Sequence, residues 1–253
     1  MQFKFLFLII TLLTSLTSLP SIAQQKITVA LGDALAPWVM PKTNSGIIIS
    51  LIKEALEPEG YEVKTLYYPY ARRINAFRLG HVDAVGDINL KTFEEEKLIG
   101  FMSDETYAYE NFAFSLKKRN FKFVSIDELA SHSLMSWQGA IAHLGGEYAE
   151  MAKKNPLYRE NHDQELQVKM LFLERFDVIQ LDEQIFNYYR SKVEAEGDIS
   201  TTQPVDKFSF FGKSPNSILF HNKKLRDAFN KGLKKLKTSG RYEKILSSHS
   251  PSN

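Results

Sequence analysis

Cysteine is absent from the 253 residues, which removes disulfides, thiol chemistry and cysteine-ligated metal, and with them the cysteine that carries a lipid on some exported proteins. Past residue 23 no stretch approaches the roughly 20 consecutive apolar residues that a membrane helix needs. Net charge is small too: 32 Lys and Arg against 30 Asp and Glu leave +2, so no global field selects nucleic acid or a membrane surface as partner. The six histidines, at 81, 132, 143, 162, 221 and 249, show no His-x-x-x-His or Glu-x-x-His spacing, and no Gly-x-Ser-x-Gly elbow occurs. Metal hydrolysis and serine hydrolysis therefore lack their usual signatures. There is no internal repeat and no low-complexity run.

What is present begins with MQFKFLFLIITLLTSLTSLPSIAQQ. Lys4 precedes an apolar run from Phe5 to Leu16, then Pro20 and the small-residue site Ser21-Ile22-Ala23, which predicts a secretory signal peptide over 1–23 cut before Gln24. The expected location is the periplasm, with no cofactor and no metal. The remaining length, about 230 residues, suits one large domain or two lobes.

Alternation and turn residues predict strands at Lys26–Leu31 and Tyr61–Tyr67, with an apolar stripe between them (Ile48, Leu51, Ile52, Ala55, Leu56) that predicts a helix closed by Pro58 and Gly60. Pro69 suits the first turn of a second helix, running to Leu79 with Gly80 as its cap, and VDAVGDI makes a third strand. Strands separated by single helices form a parallel sheet, because parallel neighbours need a crossover. From Tyr107, YAYENFAFSLKK is extended. A second α/β unit follows: Phe121–Val124 extended, a short helix from Asp127, a strand Leu134–Trp137, helices beyond Gly139 and from Asp163, and RFDVIQL as a strand. DKFSFFGKSPNSILF is extended again and leads into the final helices, whose lysines are expected on a solvated face opposite Leu225, Phe229, Leu233 and Leu236. Two α/β units joined by extended chain predict two lobes crossed twice by the backbone.

The order of motifs carries a resemblance. The strand followed by APW at Trp38, RLGHVDAV, TFEEEKLIGFMSDETY, YENFAFSLKK, SIDELASHSLMSWQG, RFDVIQLDE and LRDAFNKGLKKLKTSGRYEKIL together resemble the extracellular solute-binding proteins of family 3, the receptors of amino-acid ABC importers, over nearly the whole chain after residue 23. The resemblance implies an α/β, type II periplasmic-binding fold: two lobes, each a mixed, mostly parallel sheet flanked by helices, joined by two extended hinge crossovers. The expected division is 24–112 with 209–253 as lobe 1, and 113–208 as lobe 2.

In open α/β sheets the binding crevice lies beyond the carboxyl ends of the strands, where helix starts present free N–H groups. That rule selects the loops 32–38, 67–73, 86–91 and 137–142. Within them, YYPYARR crowds aromatics and cations onto one helix start. Tyr70 offers a flat wall and falls where the family places a pocket aromatic; Trp38 has similar standing. Arg72 and Arg73 sit where the helix dipole disfavours cations, a local inconsistency that marks candidates for holding an anionic ligand group or an ion pair. Asp87 would meet a ligand cation or one of those arginines. Asp33 is either a ligand contact or a loop cap, and Gln138 faces the cleft from lobe 2. Asp182 stands where amino-acid receptors of the family carry the acid for the ligand ammonium, and it is also a good N-cap for EQIFNYYR. One departure is plain: Glu95 replaces the arginine that clamps the ligand carboxylate in the family.

The resemblance implies a receptor that closes on a small polar solute, an amino acid or related compound, and delivers it to an inner-membrane ABC permease. It is expected to act as a monomer without stable membrane insertion. The alternatives are an enzyme of the same fold, of the cyclohexadienyl-dehydratase kind, and a ligand sensor acting on a signalling partner.

Overall fold

The computed structural model describes residues 24–33 and 35–248; the signal peptide expected over 1–23 lies outside the described residues. The expected β-α-β-α-β opening is present. β1 (Gln25–Leu31), α1 (Ile47–Leu56), β2 (Tyr61–Tyr67), α2 (Tyr70–Arg78) and β3 (Ala84–Ile88) follow in order. β1 pairs in parallel with β2 on one side and β3 on the other. α3 (Leu90–Glu95) and the short β4 (Phe101–Met102) lead to β5 (Tyr107–Leu116).

The second unit comprises β6 (Leu134–Trp137), α4 (Ala140–His143), α5 (Gly146–Lys154), β7 (Tyr158–Asn161), α6 (Gln164–Phe172), β8 (Val178–Asp182) and α7 (Glu183–Glu196). β6 runs parallel to both β7 and β8. β9 (Val205–Phe208) and β10 (Lys213–Phe220) bring the chain back to α8 (Lys223–Thr238) and α9 (Arg241–Ser248). Phe121–Val124 joins no ladder: its phenylalanines pack tilted or edge-on against His132 and Phe208. The short helix expected from Asp127 is present as a 3-10 helix, Asp127–Ser131.

Two strands carry the connection between the lobes. β10 pairs antiparallel with β3 and β4 through its second half and with β5 through Lys213–Asn216. β5 pairs with β10 over Tyr107–Glu110, then turns to β8 from Asn111 and to β9 from Ala113. The strand order is therefore β2-β1-β3-β10-β5-β8-β6-β7, one curled path with a parallel set at each end.

Strand alternation divides the core. On β1, Ile27, Val29 and Leu31 enter one apolar cluster with α1 and α8, while Ala30 faces a second with Ile74 and Phe77 of α2. Ile179 and Leu181 of β8 continue the first cluster under α6 and α7, and Val178 faces a third with Tyr148 and Met151 of α5. In α8, Leu225, Phe229, Leu233 and Leu236 are buried, and Lys231 and Lys235 reach Glu59. Gly232 lets α8 lie on α1, because a Cβ there would stand 1.9 Å from the Ala55 carbonyl oxygen.

Candidate functional site

The loop after β1 is fixed by the start of α1. Ile47 and Ile48 donate their N–H groups to the carbonyls of Pro37 and Trp38 at 3.1 and 3.0 Å, which satisfies donors that a helix start leaves free. Gly46 is required there. It holds φ 130°, and a Cβ would come within 2.6 Å of the Trp38 carbonyl oxygen. Trp38 is thereby pressed inward, 2% exposed, with its ring 5.3 Å from Tyr107 and 5.0 Å from Tyr109. Its Nε1 donates to Asp182 Oδ1 at 2.8 Å.

Asp182 is buried and accepts three more bonds, from the N–H groups of Glu110, Gln184 and Ile185. It caps α7 and ties that helix start to β5 and to Trp38. Burial pushes its carboxyl up to about 6, against the Trp38 and backbone donors, which favour the charged form. All of this uses its oxygens for protein contacts.

On the other face of the connection lies an ion pair. Arg73 is 3% exposed, and its guanidinium stands 3.2 Å from Asp87 Oδ2. Helical phase explains which arginine turns inward: Arg73 shares a face with Ala76 and Phe77, whereas Arg72 points to solvent. Arg73 also sits over the ring of Tyr70, 5.5 Å from its centre, and beside the backbone of Gly32. Its Nε is buried and donates to no described protein group, an exception that calls for a reason.

Asp87 adopts φ 65° within β3, a left-handed conformation that costs an L-residue about 1 kcal/mol or more. The pairing with β10 shifts register beside it, between Ser217 and Leu219. The turned backbone lets one carboxylate oxygen face Arg73 and the other accept from the hydroxyls of Tyr107 and Tyr109, at 3.3 and 2.9 Å. Burial first, then the Asp87 charge, drives both phenol pKa values well above the ordinary value, so the hydroxyls remain donors.

The expected residues thus fall into two groups bridged by tyrosines of β5: Tyr70, Arg73 and Asp87 on one side, Trp38 and Asp182 on the other. Asp33, Arg72 and Gln138 are exposed and stand outside that network. Glu95 is exposed and lies 3.9 Å from Lys91. Tyr107 and Tyr109 were not among the expected residues, although the alternation YAYEN places both on one face of an extended segment. Glu160, at the end of the unexpected β7, was missed too. It accepts from the N–H groups of Gly139 and Ile141 at 2.9 and 3.0 Å and from the Tyr158 hydroxyl at 2.9 Å. Partial burial works to raise its carboxyl, but these donors hold it below the usual carboxylate value.

One side chain links two helix starts: Lys91 Nζ of α3 lies 3.5 Å from the Ala142 carbonyl of α4. A cavity of about 220 Å³ lies between Leu35 and Ala36 on one side and His162, Asp163, Gln164 and Tyr189 on the other. A second, of about 250 Å³, is lined by Ala108, Glu110, Lys213, Asp182 and Tyr242. Ala108 and Glu110 alternate with Tyr107 and Tyr109, so this second cavity opens away from the Asp87 cluster. Among the described residues no group of three or more His, Cys, Asp or Glu is arranged to hold a metal ion, and no helix is long and apolar enough to cross a membrane.

The profile of the bacterial extracellular solute-binding proteins, family 3, matches residues 27–251. The chain belongs to that family. No curated protein matches it. Solved structures of the same fold include an ancestral cationic amino acid solute-binding protein, 19% identical with TM-score 0.69, covering 91% of this chain and 97% of that one. The second substrate-binding domain of a putative amino acid ABC transporter from Streptococcus pneumoniae is 19% identical with TM-score 0.64, covering 89% and 100%. A histidine kinase sensor domain with similarity to periplasmic binding proteins is 14% identical with TM-score 0.66, covering 89% and 96%. At these identities the likeness is one of fold: the chain is a type II, two-lobed member. Asp182, expected to meet a ligand ammonium, here binds Trp38 and caps α7. Position 95 carries Glu, and α2 buries Arg73 beside Asp87.

Proposed function

We propose that the protein is a periplasmic receptor that closes on a small solute, an amino acid or related compound, and delivers it to an ABC permease. The observation that carries this reading is Arg73. It is a buried guanidinium at the carboxyl end of the parallel strands, with one edge on Asp87 and its Nε without an acceptor, under the half-exposed ring of Tyr70. An anionic ligand group is the natural partner for such an edge. Family membership supports an extracellular binding protein.

In the proposed mechanism, lobes divided near residues 112 and 208 approach one another about β5 and β10. A solute held by Arg73 and Tyr70 from lobe 1, with Gln138 opposite, favours the closed form by contacts that the open form lacks. Arg72, exposed at the same helix start, and Asp33 add charge at the rim. Asp182 contributes through Trp38, as a lobe-to-lobe tie.

The test is a thermal-shift screen of amino acids, amines and small acids, followed by small-angle scattering with any compound that raises the melting temperature. A smaller radius of gyration in the bound protein is expected. A compound that binds with the radius unchanged would argue for a rigid pocket and against a closing receptor.

A further inference from the structure

We infer that the solute class is one with an apolar end: a small molecule with an anionic head, its hydrocarbon or aromatic end gripped between Leu90 of α3 and Ile141 of α4. This rests on the receptor reading above and narrows its ligand.

Leu90 and Ile141 are 63% and 42% exposed, and neither belongs to any of the three apolar clusters. Single exposed apolar residues are ordinary. These two are not placed independently, however. Each lies in the first turn of the helix that follows a parallel strand, where crevices form in this class of sheet, and Lys91, next to Leu90, reaches the carbonyl of Ala142, next to Ile141, so the two starts lie within the reach of one lysine side chain.

Part of the polar demand of both starts is met from within the chain. At α3, Asn89 Oδ1 accepts from the Thr92 N–H at 2.8 Å. At α4, the Gly139 and Ile141 N–H groups are taken by Glu160. An anionic ligand group brought to lobe 2 would find those donors occupied and a carboxylate in the way. The open donor edge is that of the buried Arg73 in lobe 1, so the head belongs there, and beside Lys91 what Leu90 and Ile141 offer the remainder of the solute is hydrocarbon. Closing the cleft around an apolar end would remove both side chains from water.

The experiment compares two probe sets by calorimetric titration. Hexanoate, phenylacetate, L-leucine and L-phenylalanine form the first; glycine, L-glutamate, L-arginine and putrescine form the second. Both test positions are exposed, so Leu90→Ser and Ile141→Ser leave folding intact, which circular dichroism verifies. The expected result is binding confined to the first set, with at least a tenfold loss of affinity in each variant. Binding of the second set at equal or better affinity, or affinities unchanged in both variants, would overturn the inference while leaving a receptor in place. Silence from both sets, with no compound of the wider thermal-shift screen bound, would count against the receptor reading itself and the inference with it.

Discussion

Arg73 and Asp87 form an ion pair in which both partners are spatially constrained: the guanidinium is 3% exposed at 3.2 Å from a carboxylate whose own backbone is held at φ 65°. Removing one partner leaves the other charge in a site with little water. The cost of breaking such a pair is about 3 kcal/mol or more, and the partial exposure of Asp87 puts this case at the low end. Urea unfolding of Arg73→Ala should show a loss of about 3 kcal/mol. Arg72→Ala, one residue away and exposed, should stay within about 0.5 kcal/mol of the parent. Equal losses in the two variants would mean that the helix phase given for α2 is wrong.

Tyr109 and Tyr107 share the remaining oxygen of Asp87 at 2.9 and 3.3 Å. A bond to a charged acceptor contributes about 1.5 kcal/mol or more when well formed. Tyr109→Phe is expected to lose about that much by urea unfolding, and Tyr107→Phe less, because its bond is longer. The reverse order would place the Asp87 carboxylate nearer Tyr107 than described.

Gly232 makes a prediction about the scaffold alone. Its missing side chain lets α8 approach α1 so closely that an added Cβ would lie 1.9 Å from the Ala55 carbonyl oxygen, which is backbone and cannot swing aside. Gly232→Ala raises helix propensity yet should destabilise by about 3 kcal/mol, the upper part of the range for overpacking. A variant as stable as the parent would show that the two helices separate freely.

The parts of this fold that were legible from sequence are those in which local chemistry and tertiary burial agree. KITVAL reads as a strand because β1 buries Ile27, Val29 and Leu31 on one face and the small Ala30 on the other; the Ile48 to Leu56 stripe is helical because it packs on the sheet; Gly80 ends the turn after α2 at φ 68°. Where the two disagree, the reading failed. FKFV alternates, but Phe121 and Phe123 are half-buried against His132 and Phe208 while Lys122 and Val124 stay exposed, and the segment has no ladder neighbour. YREN has no alternation of its own, and β7 exists because β6 offers it a parallel edge. That omission hid Glu160. One meeting of elements was legible: the helix start at Tyr70 and the strand end at Asp87 converge through the Arg73–Asp87 pair. Which arginine turns inward could have been taken from its i+3 and i+4 neighbours, Ala76 and Phe77. The role of Asp182 could not, since capping and ligand pairing ask for the same residue in the same place.

Trp38 and Asp182 give a test of that role. At neutral pH the carboxylate is ionised and accepts from Trp38 Nε1 and three backbone N–H groups. Burial raises its carboxyl from 3.8 to about 6, so between those values the folded chain holds a proton that the unfolded chain has released. The stability that the group contributes is therefore fully present below about 3.8 and is lost as pH rises through about 6. Two pH units correspond to about 3 kcal/mol. Asp182→Asn removes the titration and, by offering one acceptor where two were used, weakens the bonds to Trp38 or Glu110. The difference in unfolding free energy between parent and Asp182→Asn should widen in the parent's favour as pH falls from 7 to 4. The sequence has two tryptophans, Trp38 and Trp137, so in a Trp137→Phe background the emission of Trp38 should shift with a midpoint near 6. A midpoint at the ordinary carboxylate value would mean that four donors outweigh burial. In that case Asp182 stays charged through the acid range, and the bond between the lobes is insensitive to pH until the fold itself gives way.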